Sequence, residues 1–202
     1  MSYFWIVALA SYMTFQQSPD DVRAADIVEP RYTSDGHLLL PEDFQTWIFV
    51  GSNLGLGYSD SLSVNTLLER SRQDVPRYHN VYINPEAYLV YLRNGTFPDK
   101  TMLVMDVYAA ESKEPKGVVD NGTFNGARIG IEVAVKNKNR PDGELINWAY
   151  YDFTDRTNFG KPHTEAKAFP DSACYSCHKS HADDDNVWVQ FYPTLRRVKK
   201  PQ

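Results

Sequence analysis

An α+β fold built mainly on antiparallel β-sheet is what this 202-residue chain predicts. Strand-like segments follow one another through its second half, where a parallel doubly wound sheet would need strands and helices in alternation. Helical patterning is confined to two places ahead of those strands. Tyr, Phe and Trp form 13% of the chain, enough to supply much of the apolar area of a strand-rich core. The length suits one compact domain. The formal charge of -5, with lysines and arginines scattered, offers no basic face, so nucleic acid drops out as a partner.

Taken in order, "MSYFWIVALASYMTF" at residues 1–15 carries an apolar run too short to span a bilayer comfortably. It resembles the hydrophobic part of a secretory signal, and Ala8-Leu9-Ala10 offers an A-x-A site. No Lys or Arg precedes it, and a cut after Ala10 would leave little upstream. Export is the expectation, against a weak N-terminal membrane anchor or an ordinary buried segment. Residues 16–36 are polar and charged and read as a linker, 37–197 as the folded domain, and 198–202 as the end of a basic, solvated tail.

"LLLPEDFQTWIFVG" predicts a helix opening at Pro41, with acidic residues in its first turn and Phe44, Trp47 and Ile48 as its apolar stripe. A loop follows from Gly51 to Asn65, then a polar stretch to Arg77. "HNVYI" reads as a short strand and "NPEAYLVYLRNG" as a helix, capped by Asn84 and ended by Gly95. "TMLVMDVYA" alternates, with Leu103, Met105 and Val107 on one face and Met102, Val104 and Asp106 on the other. Residues 110–123 form a charged, glycine-bearing hairpin loop. "ARIGIEVAVK" sets Ile129, Ile131, Val133 and Val135 against Arg128, Gly130, Glu132, Ala134 and Lys136. "NWAYYDF" and "VWVQFY" complete the strands.

Both cysteines of the chain lie in "CYSCHKSHADDD", as Cys174-x-x-Cys177-His178. This is the attachment signature of c-type haem: two thiols one helical turn apart add across the two vinyl groups, and the adjacent histidine offers its imidazole to the iron. The reading makes the cofactor one covalently held haem c, on a helix near the C-terminus, with His178 as proximal ligand. Three other readings stand beside it. A disulfide closing so small a loop would stabilise little. A thioredoxin-like pair wants a βαβ setting. Zinc needs two more ligands, for which His181 with Asp183 or Asp184 lies near. Haem attachment of this type takes place outside the bacterial cytoplasm, which joins the N-terminal run in predicting a periplasmic or exported protein.

From "HLLLPEDFQTWIFVG" through "HNVYINPEAYLVYLRNGTFPDKT", "IGIEVAVK" and "NWAYYDF" to "CYSCHKSHADDDNVWVQFYPTLR", the chain resembles the cytochrome P-460 family, which includes the cytochromes c′-beta. Ordinary soluble cytochromes c carry the haem motif near the start of a small helical chain; here it closes a strand-rich one. The resemblance implies an antiparallel fold, commonly dimeric, whose haem has a distal side free for small molecules. It also implies a choice. P-460 enzymes oxidise hydroxylamine with nitric oxide and carry a lysine cross-linked to the haem; c′-beta members lack it and bind nitric oxide or carbon monoxide at an apolar site.

In the family pattern the lysine lies four residues beyond the threonine of "F-x-D-x-T". Here the threonine is Thr101 and that place holds Met105, with Lys100 falling before the strand. The resemblance thus speaks against the lysine cross-link and against hydroxylamine oxidation. Met105 is open to three readings: a core methionine, a wall of the distal pocket, or a sixth iron ligand. The family's distal glutamate, a proton-handling group, corresponds to Glu132, for which a solvated face is the alternative. A distal arginine corresponds to His79. His181, His163 and His37 carry no such correspondence. The expected function is binding of nitric oxide, carbon monoxide or a similar gas. Its rivals are a haem oxidoreductase acting on hydroxylamine or nitrogen oxides, and an electron carrier serving a redox partner protein.

Overall fold

A computed structural model describes residue 23 and residues 26–57, 76–112, 122–141 and 147–196 of the chain. The N-terminal run 1–15, most of the expected loop after Gly57 and the tip of the 110–123 hairpin lie outside these residues.

Five antiparallel strands form the main sheet in the order of the chain: β2 (Ile48–Leu54), β3 (Arg77–Ile83), β4 (Met102–Ser112), β5 (Thr123–Lys136) and β6 (Trp148–Asp152). A short pair, β1 (Leu38–Leu39) and β7 (Glu165–Ala166), makes a second sheet. Helix α1 (Pro85–Asn94) connects β3 to β4; α2 (Tyr175–His181) and α3 (Pro193–Arg196) follow β7. The class is α+β with antiparallel pairing, as the uninterrupted run of alternating segments predicts.

The sheet is apolar on both faces and is therefore the middle of three layers. Directly paired residues in an antiparallel ladder share a face, so the register sorts the side chains. One face carries Val81, Leu103, Met105, Ala134 and Tyr150 and is covered by α1 and by the C-terminal segment through Val187, Val189, Tyr192 and Leu195. The other carries Met102, Val104, Ile131, Val133, Val135 and Tyr151 and is covered by β1, β7 and Phe44. On the first face Tyr91 of α1 stacks on Phe97 at 4.1 Å, and Phe97 meets the Trp148 ring edge-on at 6.2 Å.

Helix α1 runs as expected from Pro85, with Ala87, Val90 and Tyr91 buried on its inward stripe, and ends where Gly95 takes a left-handed φ of 66°. Asn84 stands at the expected N-cap position, but its side chain plays another part. Its side chain makes no cap hydrogen bond; instead Oδ1 accepts from Met102 N–H at 2.8 Å and Nδ2 donates to Lys100 O at 3.2 Å. It ties the helix entrance to the start of β4.

Several expectations are corrected. The helix at Pro41 is a single 3-10 turn, Phe44–Thr46, and the chain then enters β2, so residues 51–54 are strand rather than loop. Ile48, Phe49 and Val50 are β-branched or aromatic, and pairing with β3 overrides the helical spacing of Phe44, Trp47 and Ile48. "VWVQFY" is not a strand: Val189–Phe191 is a 3-10 turn leading to α3, its hydrogen bonds made locally. Gly51 lets this cover approach the sheet, since a Cβ there would lie 3.3 Å from both Pro193 and Tyr192 side-chain atoms. Arg128 changes face: the register slips between Val107↔Gly130 and Tyr108↔Arg128, a bulge that aims Arg128 away from Glu132 and onto buried Asp106.

Among the described residues no helix is long and apolar enough to cross a membrane.

Candidate functional site

Cys174 is the residue before α2, while Cys177 and His178 lie within it. The helix has seven residues and none is fully buried, so packing at its ends decides its placement. Cys174 packs against the core of the first face, and its thiol is pushed up to about 11, by burial first and then by the nearby charges of Glu132, Cys177 and Asp152. At neutral pH Cys174 is therefore a thiol. Cys174 and Cys177 form no disulfide. Among the described residues no three His, Cys, Asp or Glu side chains are grouped to hold a metal ion.

His178 is held on three sides. Its ring centroid is 4.4 Å from that of Tyr150 on β6 and 5.3 Å from that of Trp188. Nδ1 lies 2.8 Å from the Asn186 carbonyl, and Nε2 lies 3.2 Å from Trp188 Nε1. A carbonyl can only accept and an indole N–H can only donate. Those two partners fix the tautomer: Nδ1 carries the proton and Nε2 presents its lone pair. Burial lowers the His178 pKa, opposed in part by the Asn186 hydrogen bond, so the ring is held toward its neutral form. A neutral imidazole with Nδ1–H tied to a carbonyl and Nε2 as donor is the form that binds iron.

The other sequence-derived residues share the face that α2 approaches. Met105 pairs with Val81 on one side and Glu132 on the other, and Glu132 pairs with Asp152. Met105 is half-buried against the core of this face, whereas Glu132 is exposed. One row along, His79 pairs with Val107, and Val107 with Gly130. His79 has its pKa lowered by burial and by the charge of Arg77, and its buried Nδ1 has no hydrogen-bond partner. Its neighbour across the ladder, Asn53, likewise has an unpartnered buried Nδ2.

Gly130 is small for a local reason, because a Cβ there would lie 2.8 Å from Thr154 Oγ1. Lys100, at the turn before β4, spends its charge on Glu29 at 2.6 Å. His37 pairs with Glu165 at 3.0 Å, remote from this face. His181 is exposed at the end of α2, and its carbonyl accepts from Gln190. Neither Asn186 nor Trp188, Tyr150 or Asn53 stands out in the sequence as a site residue. The one local signal was "DDDN", since Asp and Asn are the residues that tolerate left-handed turns.

These residues fit a haem: two thiols one turn apart, an imidazole of fixed tautomer beside them, and unpartnered buried polar atoms of His79 and Asn53 on the face that α2 approaches. The family model described as cytochrome P460 matches residues 41–189, a span that includes every residue of this site. No individual curated protein matches the chain.

Proposed function

The chain belongs to the cytochrome P460 family of haem-binding cytochromes, and on that premise we propose that it is an exported monohaem c-type cytochrome that binds nitric oxide or a similar diatomic gas. The observation that carries the reading is the state of His178: held toward its neutral form, with Nδ1–H given to the Asn186 carbonyl and the unprotonated Nε2 accepting from Trp188 Nε1–H, on the helix that also carries Cys177. Those two thiols would hold the haem covalently and His178 Nε2 its iron. When bound, the haem would supply an iron centre able to take a small gas.

The chain's own groups then define what surrounds that gas. Met105, in place of the family's cross-linking lysine, contributes an apolar thioether that excludes water. His79, with Nδ1 buried and unpartnered, supplies a polar atom able to hydrogen-bond a bound ligand. Glu132, as cross-strand partner of Met105, is the group placed to exchange protons with solvent. That last placement favours a second reading, a haem oxidoreductase acting on hydroxylamine or nitrogen oxides through a redox partner protein.

The test is the optical spectrum of the purified ferrous protein, made in a host competent for cytochrome c maturation, before and after carbon monoxide or nitric oxide. A five-coordinate, high-spin spectrum that shifts with either gas is expected. A low-spin spectrum indifferent to both would mean a sixth protein ligand and replace gas binding with electron transfer. A red-shifted ferrous band together with turnover of hydroxylamine would establish the second reading.

A further inference from the structure

The carbonyl that receives His178 Nδ1–H belongs to a tight turn of unusual backbone. Asp185 and Asn186 have φ of 44° and 64°, left-handed values that L-residues other than glycine adopt at a cost. Asp184 and Val187 bridge across the turn, with Val187 N–H donating to Asp184 O at 2.7 Å. The Asp185 side chain holds the turn in this shape from outside. Its Oδ2 accepts from Lys136 Nζ at 2.6 Å and its Oδ1 from Trp148 Nε1 at 3.1 Å.

Lys136 and Trp148 are themselves a directly paired couple at the ends of β5 and β6. Lys136 also donates to Phe97 O at 2.7 Å, and Trp148 is 1% exposed in the core. The anchor is therefore part of the rigid sheet, and the turn is fastened to it by the carboxylate of Asp185. We propose that Asp185 is a positioning residue for the iron ligand: by fastening the turn to Lys136 and Trp148 it aims the Asn186 carbonyl at His178 Nδ1 and so sets the electron donation of Nε2.

The inference rests on His178 being the iron ligand. A carbonyl hydrogen bond at Nδ1 makes the imidazole more electron-rich and fixes its rotation, which strengthens the iron–histidine bond and favours ferric over ferrous iron. Tyr150 Oη donates to the same carbonyl at 3.4 Å and adds a weaker restraint.

The experiment compares haem-loaded wild type with Asp185→Gly, Asp185→Asn and Asn186→Gly by the ferrous iron–histidine stretching band in resonance Raman and by the midpoint potential. Glycine accepts the left-handed φ freely, so Asp185→Gly removes the anchor without adding strain. Its band is expected to broaden and move to lower frequency and its potential to rise, at unchanged haem content. Asp185→Asn, which keeps an oxygen for Trp148, should lie nearer wild type. Asn186→Gly keeps the backbone carbonyl and should match wild type. An Asp185→Gly band and potential equal to wild type would overturn the proposal. Should that variant fail to fold, Lys136→Met releases the anchor from the sheet side, and an unchanged band and potential there would overturn it equally. If His178 is not the ligand, His178→Ala leaves the wild-type band in place, a result separate from all of these.

Discussion

At the scale of single residues, burial lowers the pKa of two histidines, His79 on the sheet and His178 on helix α2. On the proposed reading His178 Nε2 is taken by the iron, so His79 is the buried imidazole left to titrate. The folded state lowers its pKa below the ordinary 6.5, through burial first and Arg77 second. As pH falls through about 6.5 the unfolded chain takes up this proton and the folded chain does not. Stability from this group is therefore complete above that pH, is lost as pH drops below it, and stops falling once the folded value has been passed. Urea unfolding of wild type at pH 7.5 and 5.5 should show a loss that His79→Gln reduces; equal losses in both proteins would remove His79 as the source. The same residues show what the sequence made legible. Cys174, Cys177 and His178 could be singled out from spacing alone, because the covalent chemistry proposed for them dictates it whatever the fold. Met105 and Glu132 could be assigned faces within their own strands, but that they oppose one another depends on a register that no local pattern carries.

At the scale of elements, the strands of the middle of the chain follow their alternation closely until β5 is interrupted. The bulge opposite Val107 and Tyr108 turns Arg128 onto Asp106, whose carboxylate is 1% exposed and accepts Arg128 Nε at 2.7 Å, Arg128 NH2 at 2.9 Å and Tyr108 Oη at 2.9 Å. Alternation alone put Arg128 beside Glu132, because an inserted residue leaves no trace in a two-residue period. The Lys136–Asp185 pair escaped for a related reason: β6, β7 and α2 lie between the partners along the chain, and each taken alone looks like a solvated charge. Removing one partner of a buried ion pair leaves the other uncompensated. Arg128→Ala should therefore cost about 3 kcal/mol, near the lower end for such pairs because Tyr108 still donates to the carboxylate. Thermal or urea unfolding measures this, and a cost within the usual range of surface substitutions, about 0.5 kcal/mol, would mean the bulge does not depend on the pair.

At the scale of the whole molecule, the three layers are not equally secured. The sheet has a packed core on each face, and the C-terminal cover buries Val187, Val189, Tyr192 and Leu195. Between them, residues 174–186 contain a seven-residue helix with no buried residue, far shorter than the roughly 12–15 residues at which an isolated helix becomes even marginal. This segment is held by the half-buried Cys174 and Tyr175 side chains, the contacts of His178, the Asp185 anchor and a few hydrogen bonds to Gln190 and Tyr91. Haem attached at Cys174 and Cys177 would add two covalent ties and an iron bond to the same short stretch. Replacing both cysteines with serine should therefore produce a protein that keeps its sheet but opens locally. Hydrogen exchange in that variant is expected to rise sharply over residues 174–186, to stop near Val187 where the buried cover begins, and to leave β3, β4 and β5 as protected as in the haem-loaded protein. Protection of 174–186 equal to that of the strands would show that the site is built in full by the polypeptide. Loss of protection throughout would show instead that the cofactor is needed for the sheet as well. The expected pattern, loss confined to one segment, follows from where the buried side chains are: the fold supplies a stable wall and an ordered cover, and leaves the ligand-bearing helix to be fixed by what it binds.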